Sequence, residues 1–385
     1  MNKPAYFDNA ATTFPKPEAV YAFMDKFYRE YGVNVGRGQH KLASKASLLV
    51  SDTRSLLLDL FHAPNKKVVF AHTATEALNT VLRGISMANN YTIYISPFEH
   101  NAVTRVVTYL STIYKLNVQT LAFDKNQFAY DLEKIRFQFA SKKPNVVIMS
   151  HASNVFGIVA PIKEICLLSK QYDATNIIDM CQTAGLIDTD LSNENIDFAI
   201  FAGHKTLYGP LGIAGFVCSD QTKLMPLIYG GTGVDSRNQS MPDSIPERYE
   251  AASPNIHAIS GLYAALDWIK KSGIDNIYKT EKRNHEKLLQ VLSEYDNIQI
   301  FPPAGTPDSI GVISCVFDGY SSDSIGRILS DHDIAVRTGL HCAPYAHEFI
   351  GTSPAGTVRF SISYFTSDDS FEKLRTVLQL IYDNA

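Results

Sequence analysis

The sequence predicts an α/β protein in which a large domain, built around a mostly parallel sheet, is joined to a smaller α+β domain. Two observations support this. Short apolar segments typical of doubly covered parallel strands alternate with helical segments through the middle of the chain. Beyond residues 230–233 this alternation gives way to two long helices, followed by short strands mixed with helices. The length of 385 residues also suits two domains.

The helices and strands of the large domain are predicted from the spacing of apolar residues along the sequence. Apolar residues at helical spacing predict helices at 44–61, 75–84, 100–110 and 162–172. Continuous apolar segments predict strands at 68–71, 91–96, 145–150, 176–180, 198–202 and 213–218. Strands and helices that alternate in this way form a sheet with helices on both faces.

The remaining segments predict the small domain. Two helices are expected over 258–295, with further helices at 324–332 and from 370 onward. Strands are expected at 298–301, 311–317, 334–337 and 358–363. The expected boundaries are 32–257 for the large domain and 258–385 for the small domain, with the segment 1–31 packing beside the small domain.

Composition excludes several classes of partner. The chain carries 39 acidic and 35 basic residues without a basic cluster, which argues against nucleic acid or an anionic membrane surface as the main partner. No apolar run approaches the roughly 18 residues of a spanning helix, and we expect no secretory leader. The scattered cysteines indicate a reducing cytoplasm without disulfides. They are Cys166, Cys181, Cys218, Cys315 and Cys342.

Two polar residues follow apolar strands that we expect to lie side by side. Asp179 ends the segment Asn-Ile-Ile-Asp, and Lys205 follows Phe-Ala-Ile-Phe-Ala-Gly-His. A carboxylate opposite the ring nitrogen and a Schiff-base lysine are recurring features of pyridoxal phosphate (PLP) sites. Taken singly, Asp179 is better explained as a turn cap and Lys205 as a loop lysine. Together at one sheet edge they favour PLP.

The strand-to-helix junction at 72–79 is a candidate phosphate site. Thr75 is predicted to cap the helix, whose free N–H groups can bind a phosphate. A plain helix cap explains the same sequence equally well. The glycine cluster at 230–233 could also approach a phosphate, but such a cluster alone is a weak signal.

Cys342 differs from the other cysteines in its surroundings. It lies in the polar segment Arg-Thr-Gly-Leu-His-Cys-Ala-Pro, whereas the other four lie in apolar helix or strand sequence. Nearby positive groups, such as Arg337 and His341, favour the reactive thiolate. A buried loop thiol is the plain alternative. A metal site over 341–347 is not predicted, because no second His/Cys cluster completes a four-ligand set.

Seven motifs occur in the order found in the fold-type I PLP enzymes of the class V aminotransferase group. Within that group the chain resembles a cysteine desulfurase, and the resemblance runs nearly end to end. The matching segments are 6–12 (Tyr-Phe-Asp-Asn-Ala-Ala-Thr), 99–101 (Glu-His-Asn), 150–157, 179–182, 203–205 (Gly-His-Lys), 248–255 and 337–343 (Arg-Thr-Gly-Leu-His-Cys-Ala).

The resemblance implies an aspartate aminotransferase-like fold of type I with a seven-stranded sheet, PLP as cofactor and a homodimer. It also implies conversion of L-cysteine to L-alanine, with a persulfide on Cys342 that passes to a sulfur-acceptor protein. The separation of 17 positions between Cys342 and Arg359 is similar to the short nucleophile loop of group II desulfurases.

The resemblance further implies roles for the matched residues. The catalytic residues would be Lys205, which carries the cofactor and moves the substrate Cα proton, the nucleophile Cys342, and His100, which stacks on the ring. The cofactor would also be held by Ala74, Thr75, Asn154, Asp179, Gln182, His204 and, across a dimer, Ser253. The substrate would be bound by Asn9, Asn154, Arg337 and Arg359, the last as a bidentate fork on the carboxylate. No metal ligand is implied.

Two departures and several alternatives stay open. Ala202 stands where the family usually has a phosphate-binding Ser or Thr, and the turn after Lys205 is one residue longer than the commonest form. Other PLP reactions on the same scaffold are a selenocysteine lyase, a C–S lyase or an aminotransferase. A non-catalytic scaffold for sulfur transfer is an alternative of another class. The joint presence of Lys205, Asp179, Cys342 and Arg359 argues against it.

Overall fold

The computed structural model describes residues 4–36, 38, 40–234, 237–303, 305–306 and 308–384. The elements of the first part are β1 (Ala5–Tyr6), α1 (Glu18–Tyr31), α2 (Lys41–Leu60), β2 (Lys66–Ala71), α3 (Ala74–Gly84), β3 (Thr92–Ile95), α4 (Asn101–Tyr114), β4 (Asn117–Thr120), β5 (Phe123–Asp124), β6 (Ala129–Tyr130), α5 (Leu132–Ser141), β7 (Val146–Ser150), α6 (Ile162–Lys170), β8 (Thr175–Asp179), β9 (Phe198–Ala202) and β10 (Ala214–Ser219). Those that follow are α7 (Ile256–Ser272), α8 (Ile274–Ser293), β11 (Ile298–Phe301), β12 (Val312–Phe317), α9 (Ser322–Asp331), β13 (Ile334–Ala335), β14 (Arg337–Gly339), α10 (Pro344–Ile350), β15 (Thr357–Ser361) and α11 (Asp368–Asp383).

A seven-stranded sheet forms the centre of the fold, which confirms the predicted mostly parallel sheet. The strand order is β2-β10-β9-β8-β7-β3-β4, and β10 is antiparallel to both of its neighbours. The pairs from β9 to β4 are all parallel. Their carboxyl ends therefore meet at one edge, where ligands bind in open α/β sheets.

Helices cover both faces of this sheet, which explains why its strands are apolar throughout. In β7, Val147 and Met149 pack into one core, while Val146 and Ile148 pack into another. Successive side chains of a strand point to opposite faces, so a strand buried on both faces needs an apolar residue at every position. All five residues of β7 are buried.

A second, antiparallel sheet has the strand order β11-β12-β15-β14. Beside it, β1 pairs in parallel with β13, where Ala5 lies opposite Ile334, and a bridge joins Asp8 to Ser361. The N-terminal segment therefore contacts the last part of the chain, while α1 packs against α7 and α2. The domain limits 32–257 and 258–385 stay a prediction.

The short or polar elements differ most from the sequence predictions. The edge strand β4, Asn-Val-Gln-Thr, lacks an apolar pattern because it pairs on one side only. The strand predicted at 334–337 is in fact two strands, because β13 pairs with β1 whereas β14 pairs with β15. Within the described ranges, no helix combines the length and apolarity that a membrane span requires.

Candidate active site

A cavity of about 300 Å³ lies at the carboxyl edge of the large sheet and is closed by β14 and β15. Ten predicted site residues line it: Ala74, Thr75, His100, Asn154, Asp179, Gln182, His204, Lys205, Arg337 and Arg359. Two sheets contribute jointly, since the two arginines belong to β14 and β15. A concave site of this size suits a small molecule.

The Asp179 carboxylate and the Lys205 amine face this cavity. Asp179 is the last residue of β8 and is 8% exposed. One of its oxygens accepts the Cys181 backbone N–H at 2.9 Å. Among the described residues, neither Asp179 nor Lys205 takes part in a salt bridge. A buried carboxylate without a cation is costly, so this geometry suits a ligand that carries positive charge.

The backbone around Lys205 is fixed by residues that the sequence did not single out. The Thr13 hydroxyl donates to the Lys205 carbonyl at 2.8 Å, and the Lys16 ammonium donates to the His204 carbonyl at 2.7 Å. Burial lowers the pKa of Lys16 to about 8. Both residues come shortly after the matched motif 6–12, and that motif was the feature of the sequence that pointed to this loop.

The start of α3, which also lines the cavity, offers donors to an anion. The cap of α3 is Thr73, whose hydroxyl accepts the Glu76 N–H at 3.1 Å, so the predicted cap at Thr75 is wrong by one half-turn. Thr75 instead lies in the first turn, where its N–H and that of Ala74 have no acceptor among the described residues. Free N–H groups at a helix start bind phosphate.

His204 lines the same cavity and has an unsatisfied ring nitrogen. Its Nδ1 is buried without a partner in the described part of the chain. Burial, together with the charges of Lys205 and Lys16, lowers the pKa of His204 to about 3. The ring is therefore neutral near pH 7, and its N–H is available to an anionic ligand.

His100 is held as a neutral ring with a defined tautomer. It caps α4, and its Nδ1 accepts the Ala102 N–H at 3.0 Å. Burial and the charge of Lys205 lower the His100 pKa to about 4. Because Nδ1 is the acceptor, the neutral ring carries its proton on Nε2.

Glu99, next to His100, joins two strand ends behind the cavity. One carboxylate oxygen accepts the Ser96 hydroxyl at 2.5 Å and the Ser150 N–H at 2.6 Å. Burial raises the pKa of Glu99 to about 7. The motif 99–101 pointed to this region, but only the fold reveals that Glu99 ties β3 to β7.

Arg359 is fully buried and is oriented by a residue that the predictions did not include. Its Nη2 donates to an Asp8 oxygen at 2.6 Å, and its Nη1 donates to the Asn154 carbonyl at 2.9 Å. Burial lowers the pKa of Arg359, while the Asp8 charge opposes that shift. Among the described residues the Arg359 Nε has no partner, so its N–H can bind a ligand.

Cys342 lies just outside the cavity, in a groove that shares Thr75, His100 and Ala102 with it. The Arg337 Nη2 donates to the Cys342 sulfur at 3.0 Å. Arg337 was predicted to bind substrate, and the structure adds a contact with the nucleophile. This contact places a positive charge directly beside the Cys342 sulfur.

The Cys342 turn is held in an unfavourable backbone conformation by two hydrogen bonds. His341 and Cys342 have φ values of 47° and 58°, in the left-handed region that non-glycine residues rarely adopt. The Asn154 amide donates to the His341 carbonyl at 2.9 Å, and the Asn101 N–H donates to the Cys342 carbonyl at 2.8 Å. These contacts fix the thiol at the rim of the cavity.

The other cysteines are buried, as their apolar sequence predicted. Cys181 also lines the cavity, but burial and the neighbouring Asp179 raise its thiol pKa well above the ordinary value. Of the five thiols, Cys342 alone is partly exposed. Within the described residues, no group of three or more potential metal ligands is found.

We expect Arg337→Gln to slow alkylation of Cys342 by iodoacetamide about 10-fold, because the guanidinium that donates to the sulfur is replaced by an uncharged amide. Mass spectrometry of the Cys342 peptide after timed exposure measures the rate. Arg327→Gln, at an exposed position on α9, is the matched control. Equal rates in the two variants would contradict a role for Arg337 in activating the thiol.

Two predicted site residues lie outside the cavity and its groove. Asn9 is buried, its amide donates to the Ser361 carbonyl at 2.8 Å, and its oxygen accepts the Phe14 N–H at 3.2 Å. The backbone thus satisfies both ends of this amide, and its role in substrate binding stays a prediction. Ser253 lines a separate cavity together with Gly233.

Within the main cavity, Gln182 donates to the Ala10 carbonyl at 2.9 Å.

The longer turn after Lys205 has a structural use. The Tyr208 N–H donates to the Lys205 carbonyl at 2.8 Å, and the buried Tyr208 hydroxyl donates to the Glu281 carboxyl on α8. The same carboxyl accepts the Tyr364 N–H at 3.2 Å. The Tyr208 ring packs on Trp268 at 4.9 Å. The turn therefore ties Lys205 to the second part of the chain.

We expect Glu281→Gln to reduce the change in the free energy of unfolding between pH 5 and pH 8. Burial raises the Glu281 pKa from 4.5 to about 7, so the folded state holds this proton more tightly than the unfolded state. This contribution to the free energy of unfolding is fully present below about pH 4.5 and is lost as the pH rises through about 7. The loss amounts to about 3 kcal/mol. Urea unfolding at pH 5 and pH 8 measures it.

The exposed Glu286 on the same helix supplies the control for this prediction. Glu286→Gln is expected to keep the wild-type change in unfolding free energy between the two pH values. A wild-type change in Glu281→Gln as well would show that the buried carboxyl does not titrate as inferred.

Comparison with known proteins gives a consistent result. The family "Aminotransferase class-V" matches residues 5–374. A probable cysteine desulfurase from Pyrococcus abyssi is 30% identical over 97% of this chain and 93% of its own length. Another from Haemophilus influenzae is 31% identical over 98% and 86%.

Solved structures agree with the sequence relatives. An apo structure of cysteine desulfurase from Thermococcus onnurineus NA1 has a TM-score of 0.92 at 28% identity and covers 99% of this chain and 95% of that one. The predicted fold and the resemblance to cysteine desulfurases are thus confirmed. The chain belongs to the class-V aminotransferase family.

Proposed function

We propose that the protein is a PLP-dependent cysteine desulfurase, which converts L-cysteine to L-alanine and holds the sulfur as a persulfide on Cys342. The observation that carries this proposal is the position of Cys342. A partly exposed thiol under the Arg337 guanidinium lies at the rim of a cavity that contains the amine of Lys205 and the carboxylate of Asp179.

The residues of the cavity fit PLP by their chemistry. The unpaired Asp179 carboxylate suits a protonated ring nitrogen, and Lys205 suits covalent attachment. The free N–H groups of Ala74 and Thr75 and the unsatisfied His204 ring suit the phosphate. When bound, PLP supplies an electron-withdrawing ring that stabilises negative charge at the substrate α-carbon.

The chain's own residues then perform the remaining tasks. Arg359, held by Asp8, binds the substrate carboxylate with its remaining N–H groups. The Lys205 amine removes the proton from the substrate α-carbon. The neutral His100 ring, which lines the cavity, would contact the cofactor and could offer its Nε2 proton.

Cys342 completes the reaction on the sulfur. Its thiolate attacks the sulfur of the substrate, an S–S bond forms, and the C–S bond breaks with its electron pair left on carbon. Protonation of that β-carbon and return of the α-carbon proton from Lys205 give alanine, and the persulfide stays at the rim until an acceptor binds. The left-handed turn at His341 and Cys342 keeps the sulfur turned toward the cavity edge, where it is partly exposed.

Two further statements belong to the same proposal. A homodimer is proposed in which Ser253 reaches the phosphate bound by the neighbouring subunit, as the resemblance implies. A cytoplasmic location is proposed because the five cysteines are free and only one is partly exposed.

Mass spectrometry after incubation of the PLP-loaded enzyme with L-cysteine tests the function. We expect one added sulfur atom on Cys342, with alanine released in equal amount. Pyruvate and ammonia without added sulfur would indicate a C–S lyase instead. A purified protein that stays colourless with added PLP would indicate a non-catalytic scaffold.

A further inference from the structure

A groove of about 600 Å³ runs from Cys342 along the surface between α3 and α4. Thr75, Asn79 and Arg83 line one side, each one helical turn beyond the last. Such a spacing of four places side chains in a row along one face of a helix. The groove therefore has a direction, and Cys342 lies at its beginning.

The second wall of the groove repeats this arrangement. Asn101, Arg105 and Tyr109 on α4 line it at the same spacing of four. Asn101 lies at the Cys342 end, because its N–H donates to the Cys342 carbonyl at 2.8 Å. Eight positions along a helix span about 12 Å, so Arg83 and Tyr109 lie about that far from the thiol end.

The far part of the groove is positively charged and lacks a counter-charge of its own. Arg83 and Arg105 are both exposed, and the Arg83 guanidinium lies 5.7 Å from the centre of the Tyr109 ring. Considering only the residues that the structure describes, neither arginine forms a salt bridge, and no Asp or Glu lines the groove. The whole chain has a formal net charge of −4, so this surface is locally opposite in sign.

We propose that this groove binds an extended segment of the sulfur-acceptor protein, which presents a cysteine to Cys342 and carboxylates to Arg105 and Arg83. The inference rests on the proposed desulfurase function. An extended chain advances about 3.3 Å per residue, so the carboxylates lie about two to four residues from the acceptor cysteine. Arg105, one turn from Asn101, meets the nearer carboxylate, and Arg83, two turns from Thr75, meets the farther one.

The transfer itself needs no further reagent. The acceptor thiolate attacks the outer sulfur of the Cys342 persulfide, and a new S–S bond forms on the acceptor. The original S–S bond breaks, its electron pair leaves with Cys342, and the proton lost by the acceptor thiol balances that charge. The charged groove brings the two sulfurs together without taking part in this chemistry.

A peptide-transfer experiment tests the groove. PLP-loaded enzyme is incubated with L-cysteine and freed of excess substrate, and the persulfide on Cys342 is measured first. It is then mixed with a peptide that carries a single cysteine and glutamates two and four positions from it on either side. A twin peptide with lysines at those positions is the comparison. Mass spectrometry follows the gain of sulfur by the peptide.

The acidic peptide is expected to accept sulfur about 10-fold faster than the basic one at low salt, and the difference should shrink at high salt. The double variant Arg83→Glu with Arg105→Glu should reverse the preference. Arg327→Glu, an exposed charge reversal on α9, should retain it. The rate of sulfur release to dithiothreitol should be the same in all three proteins.

The possible outcomes distinguish failure of the acceptor-groove proposal from failure of the desulfurase proposal. Failure to load Cys342 with sulfur would count against the desulfurase proposal itself. Normal loading with equal transfer to both peptides would overturn the groove as the acceptor site. So would a preference for the acidic peptide that survives the double charge reversal.

Discussion

Replacing Cys342 with alanine is expected to abolish release of L-alanine from L-cysteine, while the absorbance of the lysine-bound cofactor stays intact. The proposed cofactor would be held by the cavity around Lys205 and Asp179, to which the Cys342 side chain does not contribute. The substrate sulfur, in contrast, has no acceptor once the thiol is gone. Alanine production and the absorbance spectrum, measured on the same sample, check both parts.

Cys181→Ala provides a demanding control for this experiment. Cys181 lines the cavity itself, yet its pKa is raised by burial and by Asp179, so it stays a thiol. We expect this variant to keep producing alanine. Unchanged alanine release by Cys342→Ala, or loss of it in Cys181→Ala alone, would assign the sulfur chemistry to a different residue.

Asp8→Ala is expected to lower the free energy of unfolding by about 3 kcal/mol, because it leaves the fully buried guanidinium of Arg359 without its counter-charge. The same change releases Arg359 from its fixed orientation. We therefore also expect KM for L-cysteine to rise about 10-fold or more. Urea unfolding of the cofactor-free protein and steady-state kinetics measure the two effects.

A double variant tests whether the loss of stability in Asp8→Ala comes from the unpaired charge of Arg359 or from the lost contact itself. Arg359→Met in the Asp8→Ala background removes the unpaired charge, and part of the lost stability should return. Asp25→Ala, which breaks an exposed pair with Arg29, should leave the unfolding midpoint unchanged. If the double variant is no more stable than Asp8→Ala, the buried charge is not the cause.

Sequence reasoning located the site wherever a residue's position follows from one element alone. Asp179 and Lys205 follow apolar segments, and parallel strands bring such ends to one edge, so their convergence was predictable. Cys342 stood out because its segment is polar. In the fold it is partly exposed, whereas the other four cysteines are buried.

Residues whose role depends on a distant partner were missed or given an incomplete role. The Asp8 carboxylate is explained only by Arg359, 351 positions away. The extra length of the turn at Tyr208 is explained only by Glu281 on another helix. Arg337 was assigned to the substrate alone, because its charge does not reveal that it also donates to the Cys342 sulfur.

The contact between Asp8 and Arg359 has a consequence for how the protein is made. A ribosome adds about 5–20 residues per second, so the first strand and Asp8 emerge roughly 20–70 s before Arg359 does. During this time β1 lacks its partner β13, and the loop that holds the Lys205 backbone is not anchored by Arg359. We therefore expect the proposed PLP cofactor to bind late, after nearly the whole chain has been made.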